Sequence, residues 1–474
     1  MLGLIIEGNK KESLLKLAHR ILERVSTVVM TLTVYLISFA LSFTITRLVL
    51  NAVLIPLYLY KLGLSMLPSI AKNAFKLLTP GGRSRLIQDA DLHRSRAATL
   101  ANRQLNGIYQ FKPDEFFHVQ RDGPGWMQEL PWSNDTHEFK VCGATVRYIH
   151  LKPSYSDILQ DGARNHKPVI FLHGNPSWSY MWRNVFPSLL ERGHEVYAID
   201  WLGHGRSDKI LKPESITFEL HTRTLVQFFE ETGLEHVMIA AHDWGGCVAL
   251  CTLPKLQKST CDSLFLLNSF FPPRMPDATL HYRLLDRVWY CTTALFGGYI
   301  PPSAIMRVIS PSLSKADAEA YSAPYEGLPR SAKSSITRFS HIAPNMPRFI
   351  HYRLRQFRVW KILEGLCGPA HFNTLTTQTR LAAEDDQIRG YWAAKDADAQ
   401  PSLNRGTKIA VVFGHRDPLV REYRKVLVKV INPDLMVDWA PRGLWIPGAG
   451  RMPVEGKAAG VGGFIVRFAG AEQS

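Results

Sequence analysis

Several stretches of this chain are apolar without a break. Residues 168–172 read PVIFL and residues 237–241 read VMIAA, while 261–268 and 408–413 read as strands with polar residues at their ends. A run with no polar face suits a strand covered on both sides, as at the centre of a parallel sheet. Residues 195–200 also read as strand, and alternating patterns at 138–141 and 144–152 predict strands before them. Between these runs, residues 180–191, 217–232 and 418–430 carry helical spacing, and 454–469 place Val461, Phe464, Ile465 and Phe468 on one helical side. Strands alternating with helices predict an α/β fold with a mostly parallel sheet and helices on both faces. Residues 270–404 interrupt the alternation. They are rich in Pro, Arg and aromatics, which predicts a helical cap inserted after a core strand.

The N-terminal region follows a different pattern. Residues 25–46 hold no charged side chain over 22 positions, enough to cross a hydrocarbon core of roughly 30 Å as a helix. After Arg47 a second apolar run covers 48–60, short for a span unless it continues to about residue 70. Residues 1–70 are therefore expected to anchor the chain in a membrane, crossing once or twice, with the larger part on the cytosolic side. Residues 71–136 are basic, then marked by Gly and Pro, and read as a linker with some helix. The core is expected at 137–269 and 405–474, with the cap at 270–404.

Charge sharpens the membrane expectation. The 474 residues carry 56 Lys and Arg against 41 Asp and Glu, a formal +15. Such an excess favours an anionic membrane surface. No nucleic-acid motif accompanies it, so nucleic acid is not an expected partner. The basic excess extends into the cap, where 274–361 hold thirteen basic and five acidic residues. The run at 349–360 alternates Arg with apolar side chains and reads as a cap helix with a solvated basic face. The six cysteines form no CxxC pair and no zinc spacing, so no metal site is expected.

Candidate chemistry gathers at strand ends. His242-Asp243-Trp244-Gly245-Gly246 joins a buried strand to a helix, with small Ala241 and Gly245 around Asp243. That is the layout of a nucleophile elbow, with Asp where an esterase has Ser. Taken alone, Asp243 serves equally well as a helix cap. His173-Gly174-Asn175-Pro176 comes after another core strand and can supply backbone and side-chain donors through Asn175, as can Trp244 at the elbow. Asp417, after the strand at 408–413, suits an acid that orients a base, or a cap before Pro418. The turn at 200–208 is expected to frame the site.

These motifs resemble the haloalkane dehalogenases of the α/β-hydrolase superfamily. The resemblance rests on residues 173–176 with Tyr180-Met181-Trp182-Arg183, on 200–209, 242–246 and 266–268, and on Ala320-Tyr321-Ser322-Ala323-Pro324-Tyr325 in the cap. It covers about 137–340 and 385–474. It implies a carbon–halogen substrate, small and apolar, and a reaction needing no cofactor. Asp243 would attack the carbon to form an alkyl ester, while Asn175 and Trp244 hold the departing halide. A His, oriented by Asp417, would then activate water. Epoxide hydrolases share the elbow, and there two cap tyrosines, here Tyr321 and Tyr325, would act as acids. The departure lies at the last motif. Pro447-Gly448-Ala449-Gly450-Arg451 places Arg451 where the family has its His. A guanidinium stays protonated and cannot take a proton from water. Three expectations remain open: a dehalogenase-like enzyme with a substitute base such as His415, an epoxide hydrolase, or an impaired relative that binds a ligand or partner.

Overall fold

The computed structural model describes residues 43–120, 132–154, 166–256, 260–272, 279–342, 357–367, 385–394, 407–440 and 442–470, with isolated positions between 29 and 41. Ten strands appear among these residues. A two-residue β1 (Phe116–Phe117) pairs antiparallel with β6 (Lys209–Ile210). The other eight are β2 (Thr136–Val141), β3 (Ala144–Leu151), β4 (Val169–Leu172), β5 (Val196–Asp200), β7 (Val237–His242), β8 (Cys261–Leu267), β9 (Lys408–Gly414) and β10 (Leu444–Ile446). They form one sheet in the order β10-β9-β8-β7-β4-β5-β3-β2. From β5 to β10 every pairing is parallel, while β3 runs antiparallel to both β2 and β5.

The apolar runs become the middle of this sheet. Every residue of β4, β5 and β7 is buried. Successive side chains point to opposite faces. Ile170, Leu172, Ile239 and Ala241 thus join one core with the helices Phe218–Thr232 and Trp244–Thr252. Val169, Phe171, Met238 and Ala240 join a second core with Phe186, Leu189, Val461, Ile465 and Phe468. The sheet is covered on both faces, as its unbroken hydrophobicity requires. β4 lies between β5 and β7, so the chain moves to opposite sides of the sheet after it. The crevice at such a switch point is where open α/β sheets bind ligands.

Some predicted elements are altered. Residues 180–191 are not one helix but a 3-10 turn, Ser179–Trp182, and a short helix, Phe186–Leu190. The helix expected from Pro418 begins at Tyr423. Its first residues are diverted because Asp417 Oδ1 accepts from the N–H groups of Leu419 (2.7 Å) and Val420 (3.1 Å), a turn that competes with the helix. The region read as a linker contains a 24-residue helix, Gly82–Leu105, with Leu86, Ala90, Ala97 and Ala101 buried. Most of the expected span at 25–46 and of the basic run at 349–360 lies outside the described residues.

One described helix, Thr44–Leu78, is long and apolar enough to cross a membrane. It joins the second apolar run to residues 61–78 and tolerates Pro56 and Pro68 inside. It packs beside the helix Leu280–Phe296, which lies between β8 and β9 with the other cap helices.

The turn at 200–208 is held by charge. Asp200 and Arg206 are buried and paired at 2.8 Å. Asp200 also accepts from Ser179 N (2.8 Å) and Arg206 N (3.0 Å), and Arg206 reaches Thr136 and Ser179. A buried pair adds little over apolar packing, yet losing one partner strands the other charge. Asp200→Ala should therefore lower stability by about 3–5 kcal/mol in chemical denaturation of the purified chain. A loss below about 1 kcal/mol would mean that the guanidinium finds other compensation.

Candidate active site

Asp243 ends β7 and opens the helix Trp244–Thr252 with φ 53° and ψ −121°. A non-glycine residue holds such a conformation only where its surroundings impose it. Here they do. Ser269 Oγ donates to the Asp243 carbonyl at 2.9 Å, and Asp243 N donates to Leu267 O at 3.2 Å. Neighbouring glycines leave the room. A Cβ on Gly174 would lie 2.3 Å from the Asp243 Cβ, and one on Gly245 would lie 2.6 Å from Leu172 O. Asp243 is therefore no ordinary cap, since it makes no side-chain cap bond to its helix.

The two carboxylate oxygens have different partners. Oδ2 accepts from Asn175 N at 3.0 Å. Oδ1 is held by Arg451 Nη2 in a buried ion pair. The same guanidinium reaches Asp417 Oδ2 at 3.3 Å and Asn268 O at 3.3 Å. Asp417 is fixed further by Asn268 Nδ2 at 2.6 Å, and Asn268 Oδ1 accepts from Gly414 N at 2.8 Å. One cation thus bridges the two carboxylates that sequence reasoning singled out. Burial works against the Arg451 charge, but Asp243 and Asp417 outweigh it and hold the side chain more firmly protonated than a free arginine.

The donors expected to receive a leaving group also stand here. Asn175 and Trp244 line the pocket over Asp243. The Asn175 amide donates to Ile336 O at 2.9 Å, and its oxygen meets His204 Nε2 at 3.2 Å. That leaves one amide hydrogen available. The Trp244 ring packs against Phe270 and Phe339, each 5.1 Å away between centroids.

Tyr321 and Tyr325 lie elsewhere. Tyr321 is buried and bonds Glu455, and Tyr325 donates to Gly203 O at 2.9 Å. Neither lines the pocket, and burial pushes both phenols well above their usual range. The pocket tyrosines are Tyr282 and Tyr423, which sequence reasoning did not single out. His415 is exposed, meets Trp445 edge-on and does not line the pocket either.

The pocket holds about 370 Å³. Its polar end is Asn175, Asp243 and Arg451, and most of its wall is apolar, including Leu285, Val288, Trp289 and Ile305 of the cap. Ile37 and Leu41, from the segment before the helix Thr44–Leu78, complete it. No sequence signal ties those two residues to a site more than two hundred positions away.

The matches to known proteins agree with this geometry. Residues 167–299 match the family described as alpha/beta hydrolase fold. The haloalkane dehalogenase of Mycolicibacterium paratuberculosis is 28% identical over 196 residues, which cover 41% of this chain and 63% of that enzyme, less than two thirds of its length. The haloalkane dehalogenase of Mycobacterium marinum is 28% identical over 286 residues, 60% of this chain and 78% of its own. The chain thus has the α/β-hydrolase fold and is similar over these residues to haloalkane dehalogenases. The solved haloalkane dehalogenase of Paraglaciecola agarilytica superposes on the hydrolase with a TM-score of 0.50 at 17% identity, over 74% of this chain and 97% of that one, a likeness of fold.

Four histidines surround the hydrolase site, and burial keeps them neutral. His173 is pushed down to about 4, His221 and His242 to about 3, and His204 well below its usual range. His242 Nε2 donates to the Arg451 carbonyl at 2.9 Å, so its ring serves the turn. Each folded pKa lies below the unfolded value near 6.5, so the unfolded chain binds more protons in between. Stability is fully present above about pH 6.5 and falls as pH drops toward 4. Denaturation at a series of pH values should show this fall, and His242→Asn should flatten it by about 1.4 kcal/mol per pH unit. An unchanged slope in that variant would place the proton uptake on other groups.

Proposed function

We propose that this hydrolase is a membrane-associated relative of the haloalkane dehalogenases that takes a small apolar electrophile onto Asp243 and is arrested at the ester, because Arg451 stands in place of the base. The core would comprise 137–269 and 405–474, the cap 270–404, and residues 1–70 the membrane attachment. The observation that carries the reading is the Arg451 bridge between Asp243 and Asp417.

The chemistry depends on the two oxygens of Asp243. Oδ2 rests on the Asn175 N–H and Oδ1 on Arg451, so attack would use Oδ1 once the guanidinium releases it. Attack at the carbon forms the C–O bond as the carbon–halogen bond breaks, and the halide leaves with the electron pair toward the Asn175 amide and the Trp244 indole. Before attack, one guanidinium serves two carboxylates. Afterwards Asp243 is a neutral ester and Arg451 pairs with Asp417 alone. The adduct is therefore well matched in charge. Its hydrolysis needs a water deprotonated nearby, and neither Arg451 nor the buried neutral histidines are poised to do it. Loss of a general base typically slows such a step by roughly 10²–10⁴-fold.

A second reading is reversible binding without a covalent step. It is favoured by the same contact, since Arg451 must release Oδ1 before attack. The epoxide reading has less behind it, because the Tyr321 and Tyr325 hydroxyls are engaged away from the pocket.

Incubation with 1-bromobutane, then halide assay and intact mass, tests the proposal. The native chain should release no more than one halide per molecule and gain one butyl group. Asp243→Ala should do neither. Arg451→His should release halide continuously, about a hundredfold or more above the native chain. Sustained release by the native chain would overturn the arrest, and absence of both adduct and halide would leave reversible binding.

A further inference from the structure

The helix Thr44–Leu78 carries charge of one sign: Arg47, Lys61, Lys72 and Lys76, with no acidic residue. One side of it is attached to the hydrolase along nearly its whole length. Arg47 Nη1 donates to His281 O (2.8 Å) and Asn51 Nδ2 to Leu284 O (2.9 Å). Tyr58 meets Tyr290 edge-on, with ring centroids 5.6 Å apart. Lys61 Nζ closes the C-terminal carbonyls of the cap helix, Ala294 O and Leu295 O, both at 2.8 Å. Further on, Asn73 donates to Gly365 O (3.2 Å) and Lys76 pairs with Asp89 (2.6 Å).

The opposite side is apolar and exposed. Ile45, Val49, Val53, Tyr60, Leu64 and Phe75 recur there at helical spacing. At 1.5 Å per residue the helix is about 52 Å long, well beyond the roughly 30 Å of a hydrocarbon core. Set across a bilayer, it would carry the attached cap helix into hydrocarbon with Arg283, Asp286 and Arg287. Charges at that depth are costly. Laid flat, it buries its apolar side in the leaflet, while Arg47, Lys61 and Lys76 stay on the side fixed to the protein. The pocket lies under the same element, because Ile37 and Leu41 line it just before the helix begins.

We propose that the helix Thr44–Leu78 lies in the plane of one membrane leaflet, and that the pocket opens to that leaflet between the side chains of Ile37 and Leu41 and the cap, taking an apolar ligand dissolved in the bilayer. This rests on the pocket being a ligand site, as proposed above, but not on Asp243 acting as a nucleophile.

Two measurements on the full chain in phosphatidylcholine–phosphatidylserine vesicles test it. Ile45→Cys, Tyr60→Cys and Phe75→Cys are labelled singly with a fluorophore in a Cys367→Ser background, Cys367 being the one cysteine that is not buried. Nitroxide lipids then report depth. All three sites should be quenched alike, more by shallow than by deep nitroxides. A deep Tyr60 site between two sites on opposite vesicle faces would overturn the in-plane placement, and so would no quenching at any site. For the ligand, a diazirine-bearing hexadecane is photolysed in the same vesicles. Cross-links should reach Trp244, Leu285 or Val288, in Asp243→Ala as in the native chain. Leu41→Trp should cut them about tenfold, while Leu41→Ala, which leaves the mouth open, should retain them. Cross-links confined to the outer side of the helix would overturn the opening. Failure of ester formation alone leaves these results intact, so the two proposals fail separately.

Discussion

The buried bridge from Asp243 through Arg451 to Asp417 is the interaction on which the site depends. Three elements end there: the elbow after β7, the turn after β9, and the turn that carries Arg451. Each carboxylate is also held by backbone N–H groups, from Asn175 on one side and from Leu419 and Val420 on the other. A buried carboxylate needs such partners, because the low-dielectric interior punishes an unmatched charge. With one cation between two anions, the site keeps an excess of negative charge. It is stabilised by fixed dipoles, and any event that neutralises Asp243 relieves it. In the reaction proposed above, the same arrangement would weaken Oδ1 as a nucleophile and favour the neutral ester.

The apolar part of the pocket is governed by a different constraint. Its wall comes from the cap, and the cap helix Leu280–Phe296 is fastened to the helix Thr44–Leu78 through backbone carbonyls. Side-chain donors on one helix satisfy carbonyls on the other, so the two cannot slide without leaving polar groups unpaired. The position of the cap is thus tied to the long apolar helix Thr44–Leu78. Ile37 and Leu41 extend this coupling into the pocket itself.

Much of the sheet was legible because burial on both faces forces a simple pattern. Residues 168–172 and 237–241 had to be central strands, and both cores are built from their alternate side chains. The elbow was legible for a similar reason, since its geometry demands small neighbours such as Gly245. Spacing could not reveal contacts made across the fold. Asn268 stands out in the sequence only as the last residue of 266–268, yet it holds Asp417 and Gly414 together. Tyr282 and Leu41 reach the pocket through packing that leaves no local mark. Helix starts were misjudged where a side chain offered the backbone another partner, as Asp417 does before Tyr423. The tyrosines at 321 and 325 looked like pocket residues from their motif, but Glu455 and the Gly203 carbonyl draw their hydroxyls away.

The turn that bears Arg451 explains why such a change of chemistry leaves the fold intact. Its scaffold is made by main-chain atoms. His242 donates to the Arg451 carbonyl, Asn268 to the Gly450 carbonyl, and Arg416 N to the Ala449 carbonyl. None of these bonds depends on the side chain at 451. A Cβ on Gly414 would lie 2.2 Å from Gly450 O, so close approach of the two turns fixes the backbone further. The side chain is then free to be any group that can sit between two carboxylates. An imidazole would leave a base there, whereas a guanidinium leaves a permanent cation and a firmer ion pair. Fold and site geometry are therefore compatible with either side chain, and on the proposed reading the difference lies in the proton affinity of that group rather than in its placement.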